Sequence, residues 1–180
     1  MAVRKFVGIV LASMAGVALV GGCTPSTDGD PKPTTTTKVA QADLWDPCTI
    51  PPDALTKTGV DPATASRDIA GVKQEGWKIC GWKGPWYYLS VFSTNYSLDD
   101  VKRNPRNTEF ADTSVGPRVA VMYREKSDTK RARCDVAFGI AQGAVLVSMQ
   151  TFGSVDAPRE DPCAVVMRHA IDLEPNMPSK

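Results

Sequence analysis

The sequence predicts an α+β fold: an antiparallel sheet with a short N-terminal helix and a C-terminal helix packed on one face, held by two disulfides. Three observations carry this expectation. Residues 133–152 alternate side chains about Gln142-Gly143, which reads as an antiparallel hairpin with one buried face. Helical patterns flank the strand region instead of separating successive strands, which favours α+β over a wound parallel sheet. Cys48, Cys80, Cys134 and Cys163 fall in this region with no CxxC spacing, so zinc-knuckle and thioredoxin-like roles are not indicated.

Taken in order, the first helix is expected from Pro51 to Thr58, stopping at Gly59, since proline suits a helix start and glycine its end. Strand patterns follow at 77–83 and 86–94, joined by Gly84-Pro85. On the second of these, Tyr87, Leu89 and Val91 share one face, and Trp86, Tyr88 and Phe92 the other. A short helical turn is expected after Ser97, through Leu98 and Val101, and another strand at 118–125. With Gln142-Gly143 as the turn, Cys134, Val136, Phe138 and Ile140 lie on one face with Val145, Val147, Met149 and Thr151. The last helix starts with Asp161 as its cap and Pro162 in the first turn, and ends before Pro175. Its apolar stripe is Cys163, Val166, Met167, Ala170 and Ile171.

Residues 1–22 carry Arg4 and Lys5 but no acid, and 6–20 is an unbroken run of apolar, Gly and Ser residues. This is the pattern of a secretory signal. As a helix the run would span only about 22 Å, short of the roughly 30 Å hydrocarbon core of a bilayer. Val20, Gly21, Gly22 and Cys23 follow, and this resembles the lipobox of bacterial lipoproteins. The resemblance implies a Cys23 that is lipidated, with diacylglycerol and palmitate-type chains, and becomes the new N-terminus. Two chains suffice for a stable anchor where one does not. Residues 23–43 then read as a Thr- and Pro-rich tether, too poor in apolar residues to fold, and 44–180 as one globular domain. Thr34 to Thr37 are candidate sites for sugars.

In an exported chain the four remaining cysteines are expected to pair. Three connectivities are possible. Cys48 and Cys163 each follow Asp-Pro near a predicted helix start, whereas Cys80 and Cys134 lie at predicted strands. Each bridge would thus tie a helix start to a strand, favouring Cys48 with Cys80 and Cys134 with Cys163.

The order Trp45-Asp-Pro-Cys48, Cys80-Gly-Trp82, Cys134-Asp-Val136, Asp161-Pro-Cys163-Ala164 resembles a family of small secreted actinobacterial lipoproteins, abundant in mycobacteria, whose domain has no assigned function. The resemblance implies an envelope lipoprotein with paired cysteines and a curved, helix-backed sheet, and it carries no catalytic residues.

Lys and Arg total 21 against 20 Asp and Glu, a formal charge of +1, so no summed field recruits nucleic acid. The single histidine, His169, is expected on the solvated side of the last helix. Asp99-Asp100 and Glu160-Asp161 are explained by helix capping. No nucleophile elbow, phosphate loop, metal cluster or cofactor motif occurs. Arg124, Lys126, Lys130, Arg131 and Arg133 read as a solvated loop around Asp128, with anionic headgroups or wall polymers as the alternative contact.

All four tryptophans fall between Trp45 and Trp86. A surface of Trp86, Tyr88 and Phe92 is therefore the candidate contact for an envelope lipid, a wall polymer or a membrane-protein partner, unless the sheet is covered on both sides. The function expected is a lipid-anchored, non-enzymatic binding or accessory module at the outer face of the cytoplasmic membrane. The alternatives are a small envelope enzyme using an acidic site near Asp99, Asp100 or His169, and a purely structural envelope component.

Overall fold

The computed structural model describes residues 40, 43–153 and 159–179. Cys23 and the signal and tether expectations, apart from the tether's last residues, lie outside them. Asp46 opens the described fold by accepting the Cys48 amide at 2.9 Å, which starts a 3₁₀ turn over Pro47–Thr49. Helix α1, Pro52–Lys57, begins on proline, buries Leu55 and is followed by Gly59 at φ 89°, a left-handed turn that favours glycine.

Seven strands follow: β1 Asp61–Arg67, β2 Trp77–Lys83, β3 Tyr87–Thr94, β4 Asn107–Val115, β5 Arg118–Glu125, β6 Arg133–Ile140 and β7 Gly143–Thr151. They form one sheet in the order β1-β2-β3-β7-β6-β5-β4, and every neighbouring pair is antiparallel. Helix α2, Leu98–Arg103, links β3 to β4, and α3, Pro162–Leu173, closes the fold. The expected α+β class is thus observed, with both expected disulfides, Cys48–Cys80 and Cys134–Cys163. The first ties the 3₁₀ turn to β2 and the second ties the first turn of α3 to β6.

β1 and β4 had no sequence signal. They are the two edges of the sheet, mostly exposed, and each is interrupted by a register shift. Glu109 sits at φ 53° within the β4 irregularity. Bulges break the two-residue alternation that marks a strand, and main-chain pairing to a neighbour holds an edge without an apolar face of its own.

The hairpin pairs Ile140 with Gly143, so the loop residues are Ala141-Gln142 and not Gln142-Gly143. This moves the register by two residues, which leaves every side chain on its expected face. Gly143 belongs to the ladder, at φ 145°, and a Cβ there would lie 2.1 Å from the Thr94 carbonyl oxygen. The hairpin also has two buried faces, not one. On the helix side Val136, Phe138, Val145, Val147 and Met149 meet Leu55, Val166, Ala170 and Leu173 in the main core. On the outer side Ala137, Ala144 and Leu146 join Val101, Val121 and Tyr123, with Trp77, Phe92 and Leu98 packed against them. The short helix α2 accounts for this second core.

α3 is rotated one position from its expected stripe. Val165, Val166, His169, Ala170 and Leu173 are buried, while Ile171 is 49% exposed. Both stripes contain Val166 and Ala170; choosing the more apolar one excluded the track containing histidine.

Candidate functional site

His169 is the first correction. It is not solvated but 3% exposed, pressed between α1 and β3. Thr58 Oγ1 lies 2.6 Å from its Nδ1, and the Tyr87 hydroxyl 2.7 Å from its Nε2. Thr58 has one hydroxyl proton, which it donates to Asp172 Oδ2 at 3.1 Å. It therefore accepts from Nδ1–H, leaving Nε2 to accept from Tyr87. The protons run in one direction, from Tyr87 through His169 and Thr58 to Asp172. Burial lowers the histidine to a pKa of about 4; nearby Arg168 pushes the same way and Asp172 opposes both. Burial also raises the Tyr87 hydroxyl above its ordinary value. Neutral imidazole and intact phenol are the stable forms, and the arrangement joins three elements with its ring nitrogens fully occupied.

The aromatic surface is the second correction. β3 begins at Tyr87, because the Gly84 amide donates to the Tyr87 carbonyl at 2.8 Å and leaves Trp86 in the turn. Freed from strand alternation, Trp86 packs against the helix-side core, with its ring 5.0 Å from that of Tyr87. Tyr88 and Phe92 do share the outer face, but they differ in exposure. Phe92 packs on the outer core and meets Trp77 edge-on at 6.1 Å. Tyr88 is 47% exposed and meets Phe152 edge-on at 4.7 Å.

Strand registers place Lys83, Tyr88, Gln150 and Arg133 in one row across that face. The structure thus brings together Tyr88, Phe152, Lys83 and Gln150 at one end of the outer face and removes Trp86 from them. Sequence reasoning missed Phe152, which lies just past the end of β7.

The basic cluster is organised rather than solvated. Arg124 is 5% exposed and donates to the Arg133 carbonyl at 2.6 Å and to Asp161 at 3.1 Å. Arg133 grips buried Asp135 through two nitrogens at 2.8 to 3.1 Å and pairs with Glu125 at 3.0 Å. Burial raises the Asp135 carboxyl against the pull of Arg133. Arg131 binds Glu109, and Asp128 accepts the Ala132 and Arg133 amides. Lys126 and Lys130 are exposed, as expected of the loop. A shallow cavity of about 330 Å³ lies here, lined by Arg124, Lys130 and Arg131 but also by Glu160 and Asp161.

The paired carboxylates act as caps, as expected. Asp100 completes a capping box with Ser97, whose hydrogen bonds, aided by Arg103, hold its carboxyl down to about 2. Asp161 caps α3. α2 packs on the outer face and His169 on the helix side, so the sheet lies between Asp99-Asp100 and His169. Among the described residues no cluster of three or more His, Cys, Asp or Glu is placed to hold a metal, and no helix is long and apolar enough to cross a membrane.

These features define a disulfide-stapled α+β domain with a seven-stranded antiparallel sheet. The chain belongs to the family described as "Protein of unknown function (DUF3558)", whose model matches residues 18–176. No curated protein and no solved structure matches it.

Proposed function

We propose that the chain is an exported lipoprotein of the cell envelope, of the actinobacterial kind it resembles. Acylated Cys23 would hold it at the outer face of the cytoplasmic membrane. Its folded domain is a non-enzymatic binding or accessory module for an envelope lipid, a wall polymer or a partner protein. The anchor is supported by the small residues before Cys23 at the end of a signal-like run, and export by the two disulfides, which persist in oxidising compartments.

The observation that carries the binding role is Tyr88, half-exposed against Phe152 and set in a row with Lys83 and Gln150. An aromatic face beside polar donors suits amphipathic ligands. The saturated ring nitrogens of His169 support a structural use for that residue and a non-enzymatic reading.

Two measurements test this proposal. Mass spectrometry of the membrane fraction should find Cys23 acylated and N-terminal; an unmodified N-terminus elsewhere in a soluble chain overturns the anchor. Titration with envelope lipids and wall fragments, followed by tryptophan fluorescence, should saturate for the native chain and weaken about tenfold or more for Tyr88→Ala. A flat native response, with no protein recovered by crosslinking through this face, overturns the binding role.

A further inference from the structure

The connection between β1 and β2 presents the most exposed aliphatic pair on a turn. The Val72 amide donates to the Ile69 carbonyl at 2.9 Å, and these two residues pair as an antiparallel bridge. Between them Ala70 and Gly71 sit at φ 52° and 75°. Positive φ at both central positions is the tight hairpin turn that ordinarily takes Asn-Gly or Gly-Gly. Alanine there is strained, and Asp68 at φ 61° adds a second unfavourable conformation in the same loop. The strain holds a narrow turn whose opposed side chains, Ile69 and Val72, are 55% and 61% exposed. Directly opposed residues of an antiparallel pair project from the same side of the ribbon, so the two form one apolar tip.

The first residues of the folded domain lie at the base of this hairpin. Lys78 Nζ donates to the Leu44 carbonyl at 2.5 Å, and Arg67 binds Asp46 at 2.7 Å. The first residues of the domain are thereby pinned beside the strands that carry the tip. From Cys23 to Asp43 the chain reaches at most roughly 70 Å when fully extended, so an anchor at Cys23 leaves the tip within reach of the bilayer surface. Two aliphatic side chains partition weakly by themselves, but a tether of this length supplies a local concentration on the order of millimolar.

From this placement we infer that the Ile69–Val72 tip docks on the lipid bilayer that holds Cys23, inserting both side chains at the headgroup boundary and orienting the domain with this end toward the membrane. The inference rests on the lipid-anchor reading above. Arg67, Lys73 and Lys78 are offset by Asp68 and Glu75 along the hairpin, so apolar insertion drives the docking and anionic lipid adds little. Tyr88 lies six residues along β3 from Thr94, the partner of Trp77. It is therefore about 20 Å further from this end of the sheet, left available to a ligand.

The test uses the full chain, expressed so that Cys23 is processed and reconstituted into phosphatidylcholine vesicles with and without phosphatidylglycerol. Tryptophan is introduced by Val72→Trp or, as the distant control, Tyr88→Trp, and brominated phospholipid is the quencher. Sedimentation with the vesicles reports the anchor; quenching beyond that of the native chain's own tryptophans reports the tip. The expected result is added quenching for Val72→Trp in both lipids, none for Tyr88→Trp, and its loss when Ile69→Asp is combined with Val72→Trp. A chain that sediments without added quenching at position 72 overturns the docking alone. A chain that stays in solution overturns the anchor and the docking together. A blue shift of the Val72→Trp emission that appears only when a second protein is added, without quenching by lipid, overturns the bilayer in favour of a protein partner.

Discussion

Tyr87 donates its hydroxyl proton to Nε2 of His169 across 2.7 Å, from a central strand to the C-terminal helix. The bond requires neutral imidazole, and this gives the fold a defined acid sensitivity. The histidine is lowered from 6.5 to about 4 in the folded chain. Between these values the unfolded state binds the extra proton, so stability is full above pH 6.5 and is lost as pH falls toward 4. A shift of this size corresponds to about 3 kcal/mol. Urea unfolding at pH 7 and pH 4.5 should show this loss in the native chain and a much smaller one in His169→Gln. Equal pH dependence in the two chains would refute the assignment.

Tyr87→Phe removes the donor but keeps the ring. Buried Nε2 is then left without a partner, which should cost about 1 to 3 kcal/mol at pH 7. The histidine should titrate at a higher pH in this variant, because protonation no longer opposes a fixed donor. NMR of the single imidazole measures this directly, and an unchanged midpoint would count against the proton direction.

Arg133, partly exposed, pairs with the fully buried Asp135, and removal of one partner differs from removal of both. Arg133→Ala strands a carboxylate that is fully buried and should destabilise the fold by about 3 to 5 kcal/mol. Combining Arg133→Met with Asp135→Leu should recover most of that loss. A double-mutant cycle in urea measures the coupling; additive effects would show that the pair is not acting as a unit.

Gly143→Ala and Gly139→Ala form a matched contrast on one hairpin. At Gly143 the new Cβ collides with the Thr94 carbonyl, whereas at Gly139 the nearest atom lies 4.0 Å away. Thermal unfolding should show a loss of at least about 3 kcal/mol for the first and about 1 kcal/mol or less for the second. Similar melting temperatures would mean that the backbone at Gly143 moves easily.

Replacing Cys134 and Cys163 together by alanine opens a link between residues 29 apart in sequence. The chain-entropy model puts its contribution at about 3 to 4 kcal/mol. The same loss should follow for the pair Cys48 and Cys80, separated by 32 residues. Denaturant midpoints under non-reducing conditions test both; an unchanged midpoint would show that the bridges add no stability.

The sequence by itself determined the α+β class, the central strands and the capped helices, because each depends on local chemistry; among three cysteine connectivities it favoured the one the fold adopts. Asp46-Pro47 and Asp161-Pro162 each open a helical turn through the aspartate cap, and two-residue alternation survives a turn misplaced by one residue because the resulting register moves by two. Tertiary structure alone decided the edge strands, the second buried face and the candidate site. β1 and β4 exist through pairing to neighbours, not through their own apolar pattern. Trp86 left the aromatic face because the main-chain hydrogen bond from Gly84 to Tyr87 holds it in the turn, so the strand begins one residue later than expected. His169 looked like a surface residue because its partners Thr58 and Tyr87 are 111 and 82 positions away. A polar side chain enters a core when distant donors and acceptors satisfy it, and only the folded chain brings those groups together.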